Sequence, residues 1–189
     1  MKKDDLKLLK DEELVRKFQT DNHSIYFDIL YKRYHRKVLD KCYSLVKNHQ
    51  LAEELAEDIL SKTFEKLSGF KNISSYSSWL YSITYNHCID YLRKKKKLHY
   101  PDWNRSNEIP EIIDETPEVM NEINYENFLI ILDLIHPEEK ALILMKYHDN
   151  LPMKQIAESL RISEDATKMR LKRARSRVIY LYKSKFSAD

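Results

Sequence analysis

Trp79, Asn86 and Arg93 stand at steps of seven residues, and Arg93 opens the wholly basic run Arg93-Lys94-Lys95-Lys96-Lys97. On a helix, that spacing puts an aromatic ring, an amide and a cation on one face. An aromatic can stack on an unpaired base, an amide can read a base edge, and lysines can hold a phosphate backbone. Packing in a core and solvation of a helix end would account for the same rings and lysines. A second set of cations lies further on, at Lys168, Arg170, Lys172, Arg173, Arg175 and Arg177. Chemistry of a catalytic kind has less to stand on. His35, His49, His87, His99, His136 and His148 are scattered, and neither a nucleophile motif nor a Gly-rich phosphate loop is present. No cofactor, metal site or small-molecule substrate is expected.

The whole-chain charge hides this layout. The 189 residues hold 33 Lys and Arg against 30 Asp and Glu, a formal net charge of +3. Between the two basic blocks, Glu108, Glu111, Asp114, Glu115, Glu118, Glu122 and Glu126 follow one another without a Lys or Arg. Separate basic blocks suggest a polyanionic partner. The start, Met1-Lys2-Lys3-Asp4-Asp5, lacks the apolar core of a signal peptide, and no apolar run approaches transmembrane length. Cys42 and Cys88 fall in apolar helical patterns and read as reduced core thiols. A cytoplasmic protein without direct membrane insertion is expected.

The elements that must carry these residues are helices. Gly occurs once, at Gly69, and apolar residues recur at helical steps. Helices are expected over about Asp11 to Thr20, Ile25 to Lys47, Leu51 to Leu67 and Trp79 to Lys97. Leu55, Ile59, Leu60, Thr63, Phe64 and Leu67 share an apolar face, and Gly69 stands where a left-handed cap would sit. Pro101, Pro110 and Pro117 mark an acidic linker at 98–122, which Trp103, Ile109, Ile112 and Ile113 could dock. Helical periodicity returns from about Ile123, with an apolar helix through Ile135. Pro137 then opens a helix running to His148. The chain therefore reads as all-α, with two small helical domains at 10–97 and 123–186 joined by the linker.

The most specific local pattern follows Pro152. A short helix, Met153 to Leu160, faces inward with Ile156 and Leu160. Arg161-Ile162 makes a tight turn, and Ser163 caps a second helix whose first turn holds Glu164 and Asp165. At about 100 degrees per residue, Leu171, Ala174, Val178 and Leu181 cluster on one side. Asp165, Lys168, Met169, Lys172 and Arg173 lie opposite, with Arg170, Arg175 and Arg177 on the flanks. This is a helix-turn-helix whose second helix suits the major groove. Many such motifs place Gly where this chain has Arg161, which must tolerate the turn.

The pattern Trp79-Leu80-Tyr81-Ser82-Ile83 … Asn86 … Ile89-Asp90 … Leu92-Arg93-Lys94, preceded by Ala56-Glu57-Asp58-Ile59-Leu60 … Phe64, resembles region two of the extracytoplasmic-function (ECF) sigma factors. Pro137-Glu138-Glu139 … Leu144 … Tyr147 … Ile156-Ala157 … Leu160 … Ile162-Ser163 … Ala166 … Lys168 … Arg170-Leu171 … Arg173-Ala174-Arg175 resembles their region four. The resemblance spans nearly the whole chain. It implies a non-enzymatic initiation factor that partners core RNA polymerase and promoter DNA, with a probable anti-sigma factor as a further partner. Glu54, Glu57, Asp58 and Lys62 would meet the polymerase clamp. The family often has Gln where this chain has Ser61, so one of those contacts is expected to differ.

The loop Phe70 to Ser78 resembles the family's specificity loop, which captures a flipped base of the minus-ten element. The implied minus-ten contacts are Tyr76, Trp79, Asn86, Arg93, Lys94 and Lys95. The implied minus-thirty-five contacts are Ser163, Asp165, Lys168, Met169, Arg170, Lys172, Arg173 and Arg175. Region four would also meet the polymerase flap, and the acidic linker would pass through the RNA exit channel. Two other classes share parts of the pattern. A one-component regulator would use the same helix-turn-helix but leave Trp79 to Lys97 unexplained. A nucleic-acid hydrolase would need acids or histidines converging on a metal.

Overall fold

The computed structural model describes residues 6–71, 74–95 and 123–186. The expected linker at 98–122, with Trp103, Ile109, Ile112 and Ile113, lies outside the described residues, as do Lys96 and Lys97. Every regular element among the described residues is helical, so the fold is all-α. The chain divides into two compact units, Met1–Lys94 and Lys95–Asp189.

The first unit is built from α1 (Asp11–Asp21), α2 (Ser24–Val46), α3 (His49–Leu67) and α4 (Tyr76–Lys95). Its core is the inward row of each helix: Leu14, Val15 and Phe18 from α1, Leu30, Val38 and Cys42 from α2, Ile59, Leu60 and Leu67 from α3, and Leu80, Cys88, Ile89 and Leu92 from α4. Helix α3 starts on Asn48, whose side-chain oxygen accepts from the Leu51 N–H at 2.8 Å. Phe64 is 41% exposed rather than buried, packing edge-on against Phe18 and Phe27 with ring centres 5.5 and 5.0 Å away. The two thiols are fully buried and touch, Cys88 Sγ lying 3.6 Å from Cys42 Sγ across α2 and α4.

Gly69 does not form the expected left-handed cap. The backbone takes that conformation at Asn22, Lys47, Asn150 and Arg161, and Gly69 has a negative φ. Helix α3 ends instead in tight turns, with Gly69 N–H donating to Lys66 O and Phe70 N–H to Leu67 O. Gln19 of α1 supplies what a cap would. Its side-chain N–H donates to Leu67 O at 3.1 Å and to Phe70 O at 2.7 Å. A long-range side chain thus satisfies carbonyls that a local glycine motif usually serves.

The second unit comprises α5 (Tyr125–Leu132), α6 (Pro137–Ile143), a π-helical turn (Leu144–His148), α7 (Met153–Leu160) and α8 (Glu164–Phe186). Pro137 occupies the first turn of α6, and His136 and Glu139 close a reciprocal capping box. The expected helix to His148 is therefore not one helix. At Leu144 the ladder widens, with Asp149 N–H donating to Leu144 O and Leu151 N–H to Met145 O, both at 2.9 Å. Ile131, Leu132, Leu142, Met145, Leu151, Ile156, Leu160, Leu171, Ala174 and Val178 form the core. On α5, Tyr125, Leu129 and Ile130 stay exposed, so that helix is apolar beyond its buried stripe.

Replacing Gln19 with Ala removes two hydrogen bonds to partly buried carbonyls and is expected to cost about 1–2 kcal/mol. Urea unfolding of the variant measures this. An unchanged midpoint would show that water serves Leu67 O and Phe70 O as well as Gln19 does.

Candidate nucleic-acid interface

Helix α4 presents its candidate residues unevenly. Trp79, Asn86 and Arg93 are half-buried along one face, and Lys94 and Lys95 are exposed. Trp79 packs against Phe70, ring centres 4.6 Å apart, so the indole anchors the end of the preceding loop. Ser75 starts the helix, its hydroxyl accepting from the Ser78 N–H at 3.2 Å. Arg93 lies 3.9 Å from Asp90, one turn earlier. Tyr76 requires correction. It is fully buried, with its ring 5.3 Å from that of Tyr34 and 6.0 Å from that of Trp79. Burial pushes its phenol well above the ordinary range. Its place in the first turn of α4 faces α2, so it is a core residue and cannot touch a strand.

The adjoining flank of α4 faces α3. Of the four candidate polymerase contacts on α3, Glu54, Asp58 and Lys62 face α4 and Glu57 turns toward α2; Glu54, Glu57 and Asp58 are exposed and Lys62 is half-buried. Glu57 accepts from Tyr31 Oη at 2.8 Å and lies 3.0 Å from His35 Nε2, both on α2. Asp58 lies 3.8 Å from His87 Nε2 of α4 and 3.9 Å from Lys62 Nζ. Leu51, Leu55, Asp90, Tyr91 and Lys94 complete the walls of an open groove of about 760 Å³ between α3 and α4. The lining mixes acids (Glu54, Asp58, Asp90) with cations (Lys62, Lys94) around apolar Leu51 and Leu55. Burial holds the His87 imidazole below the usual histidine range, Lys62 pushes it the same way, and Asp58 and Asp90 pull against them. Lys62 Nζ sits 3.4 Å from His87 Nδ1, as suits a neutral ring that accepts a hydrogen bond.

In the second unit the turn between α7 and α8 takes the geometry the sequence demanded. Arg161 adopts φ 56° and ψ 44°, the left-handed region, and its N–H still closes the helix end. Ser163 Oγ accepts from the Ala166 N–H at 3.1 Å, which caps α8 and commits that hydroxyl to the fold. Leu171, Ala174 and Val178 are buried as expected. Asp165, Lys168 and Met169 point outward, with Lys172 and Arg173 partly exposed beside them. Lys168 Nζ donates to Asp165 Oδ1 at 3.2 Å.

The arginines behave differently from the lysines. Arg170 turns back toward α6 and donates to Glu138, 3.2 Å away, whose side chain is 1% exposed. Arg177, seven residues on, lies 3.3 Å from fully buried Glu139, an ion-pair distance without hydrogen-bond alignment. Burial pushes the Glu139 carboxyl up, more than Arg177 and the His136 N–H pull it down. Arg175 donates to Tyr147 Oη at 3.4 Å, from the π-helical turn. Arg170, one of the flanking residues, is thus held toward α6 by a buried carboxylate. The burial of Glu138 and Glu139, and their pairing with α8, went unread in the sequence. The signal was available: adjacent acids at Pro137-Glu138-Glu139 match arginines spaced one heptad apart.

Among the described residues no group of three or more His, Cys, Asp or Glu could hold a metal ion. Within the same residues, no helix is long and apolar enough to cross a membrane.

The groove makes His87 a titratable reporter. Its imidazole is expected to titrate below the usual histidine range. Lys62→Ala should raise that value and Asp58→Asn should lower it further, read by NMR of the ring protons. The sign for stability follows. The unfolded ring binds its proton more readily, so the contribution of neutral His87 is lost as pH falls through the ordinary histidine range.

Known proteins carry the same two blocks. Residues 30–98 match the family model Sigma-70 region 2, and residues 128–178 match Sigma-70, region 4. The chain is 29% identical over 157 residues to the ECF RNA polymerase sigma factor SigW of Bacillus subtilis, covering 75% of this chain and 81% of that protein. Its fold is similar to that of CnrH, solved with the cytosolic domain of CnrY, at a TM-score of 0.61, 15% identity and coverage of 93% and 98%. It is also similar to RpoE of Bartonella quintana, solved with the anti-sigma factor NepR, at a TM-score of 0.57, 19% identity and coverage of 84% and 98%. With both conserved regions in order on one all-helical chain, this protein belongs to the sigma-70 family, in its extracytoplasmic-function group.

Proposed function

We propose that this sigma factor binds core RNA polymerase through the acidic rim of α3 and brings it to a promoter that the two units read in different states. The observation that carries the reading is the outward face of α8, where Lys168, Met169 and Lys172 stand on a capped helix behind a left-handed turn. That face suits duplex DNA at the minus-thirty-five element. The half-buried Asn86, with Arg93, Lys94 and Lys95 after it, suits the displaced single strand at the minus-ten element. Capturing an unpaired base there would favour melted over closed DNA.

The domains of this reading are 10–97 for polymerase binding and minus-ten melting, 98–122 as a linker, and 123–186 for minus-thirty-five recognition. Glu54, Glu57, Asp58 and Lys62 make the polymerase contact, and Trp79 acts beside Asn86 as an anchor of the specificity loop. The protein works as a non-enzymatic initiation factor in the cytoplasm. The two structural relatives named above were solved with CnrY and with NepR, and NepR is an anti-sigma factor. An anti-sigma partner for this chain would cover the α3 rim or the apolar face of α5 and so compete with polymerase.

The direct test is reconstitution with sigma-free core polymerase from the same source, followed by run-off transcription on its sheared genomic DNA. Co-elution and discrete start sites are expected. Failure of the folded chain to bind core would turn the assignment toward a stand-alone DNA-binding regulator.

Two substitutions separate the roles. Lys172→Ala should weaken duplex binding at the upstream element several-fold while holoenzyme still forms, as seen by gel shift and co-elution. Asn86→Ala should leave closed-complex formation intact and lower the yield of permanganate-reactive open complex. Loss of core binding in the first variant, or normal melting and promoter choice in the second, would count against the division of labour.

A further inference from the structure

We propose that Met169 is a specificity-determining residue that reads the C5-methyl group of a thymine in the upstream promoter element. The inference rests on the reading of α8 as the recognition helix and adds to it the base feature being read.

Three observations lead there. First, three of the four arginines of α8 are turned to partners within the fold, and Arg173 is the one that lies on the outward side. Arg170 is held by Glu138, Arg177 lies against Glu139, and Arg175 donates to Tyr147. Second, Met169 lies on the outward side of the first two turns, beside Lys168 and on the side away from Leu171, Ala174 and Val178. The first turns of a recognition helix are the part that meets base edges. Third, Met169 is 48% exposed, although it is large and apolar. The other exposed large apolar residues of α8, Tyr180 and Phe186, lie eleven and seventeen residues further along. At 1.5 Å per residue, Tyr180 is roughly 16 Å from Met169 along the helix axis.

An apolar side chain among charged ones gains nothing from a phosphate or from a hydrogen-bonding base edge. In the major groove the one apolar group on an unmodified base edge is the thymine methyl. A flexible, polarisable thioether side chain can settle against it without the alignment a hydrogen bond needs. Lys168 and Lys172, which share one stripe beside Met169, would hold the helix to the backbone while Met169 makes the contact.

Uracil differs from thymine by this methyl alone, which gives a direct test. Holoenzyme is reconstituted with the full chain, and each thymine of the upstream element in a promoter found by run-off mapping is replaced in turn by uracil. At one position the wild-type holoenzyme should lose roughly three- to fivefold in affinity, the worth of one buried methyl group. Met169→Ala should show the same loss on the thymine promoter and no further loss on the uracil one. Met169→Leu should restore part of the discrimination. The inference is overturned if no thymine is sensitive, if the element has none, or if Met169→Ala stays as sensitive as the wild type. In those cases discrete initiation would still uphold the sigma assignment. Absence of promoter-specific binding altogether would overturn both.

Discussion

Carboxylates taken out of water set the geometry of the DNA-facing unit. Glu138 and Glu139 sit at the start of α6 with almost no exposure, a costly place for a charge unless cations meet it. The cations come from α8, one heptad apart, so the second helix of the motif is fastened to α6 along its flank. Rotation of α8 about its axis would pull arginine heads away from buried acids. Charge pairing of this kind contributes specificity of arrangement more than stability. The outward face is then fixed by default, because Asp165, Lys168, Met169 and Lys172 lie on the side of α8 turned away from these arginines and from the buried row.

The first unit solves a related problem with neutral groups. Its α3 ends where a left-handed glycine was the obvious device, yet the carbonyls are met by an amide from α1. That links the N-terminal helix to the base of the loop leading into α4. The same end of the loop is tied to α4 by Phe70 packing against Trp79.

Much of this was legible in the sequence, and the exceptions share a cause. Helical periodicity placed α7 at Met153–Leu160 and the inward row Leu171, Ala174 and Val178, since both follow from residue spacing alone. The cap at Ser163 and the strained turn at Arg161 were equally local. What spacing could not show were contacts made across the fold. Tyr76 is buried because α2 lies over it, Gly69 is relieved of its role by Gln19, and the ladder widens at Leu144 inside a run that reads as ordinary helix. The burial of Glu138 and Glu139 belongs to the same class, because an acid in a first turn normally reads as solvated.

The touching thiols of Cys42 and Cys88 carry a practical consequence. They are the chain's two cysteines, both are closed off from solvent, and the hydrogen bond with Cys42, together with burial, pushes the Cys88 thiol well above its ordinary range. Thiolate is the reactive species toward alkylating probes, so the native background is close to silent in the folded protein. A cysteine introduced on an exposed face therefore takes a fluorophore selectively, with no need to strip the native pair from the core first. The motions of each helical unit on polymerase can be followed by dye pairs placed in the otherwise wild-type chain.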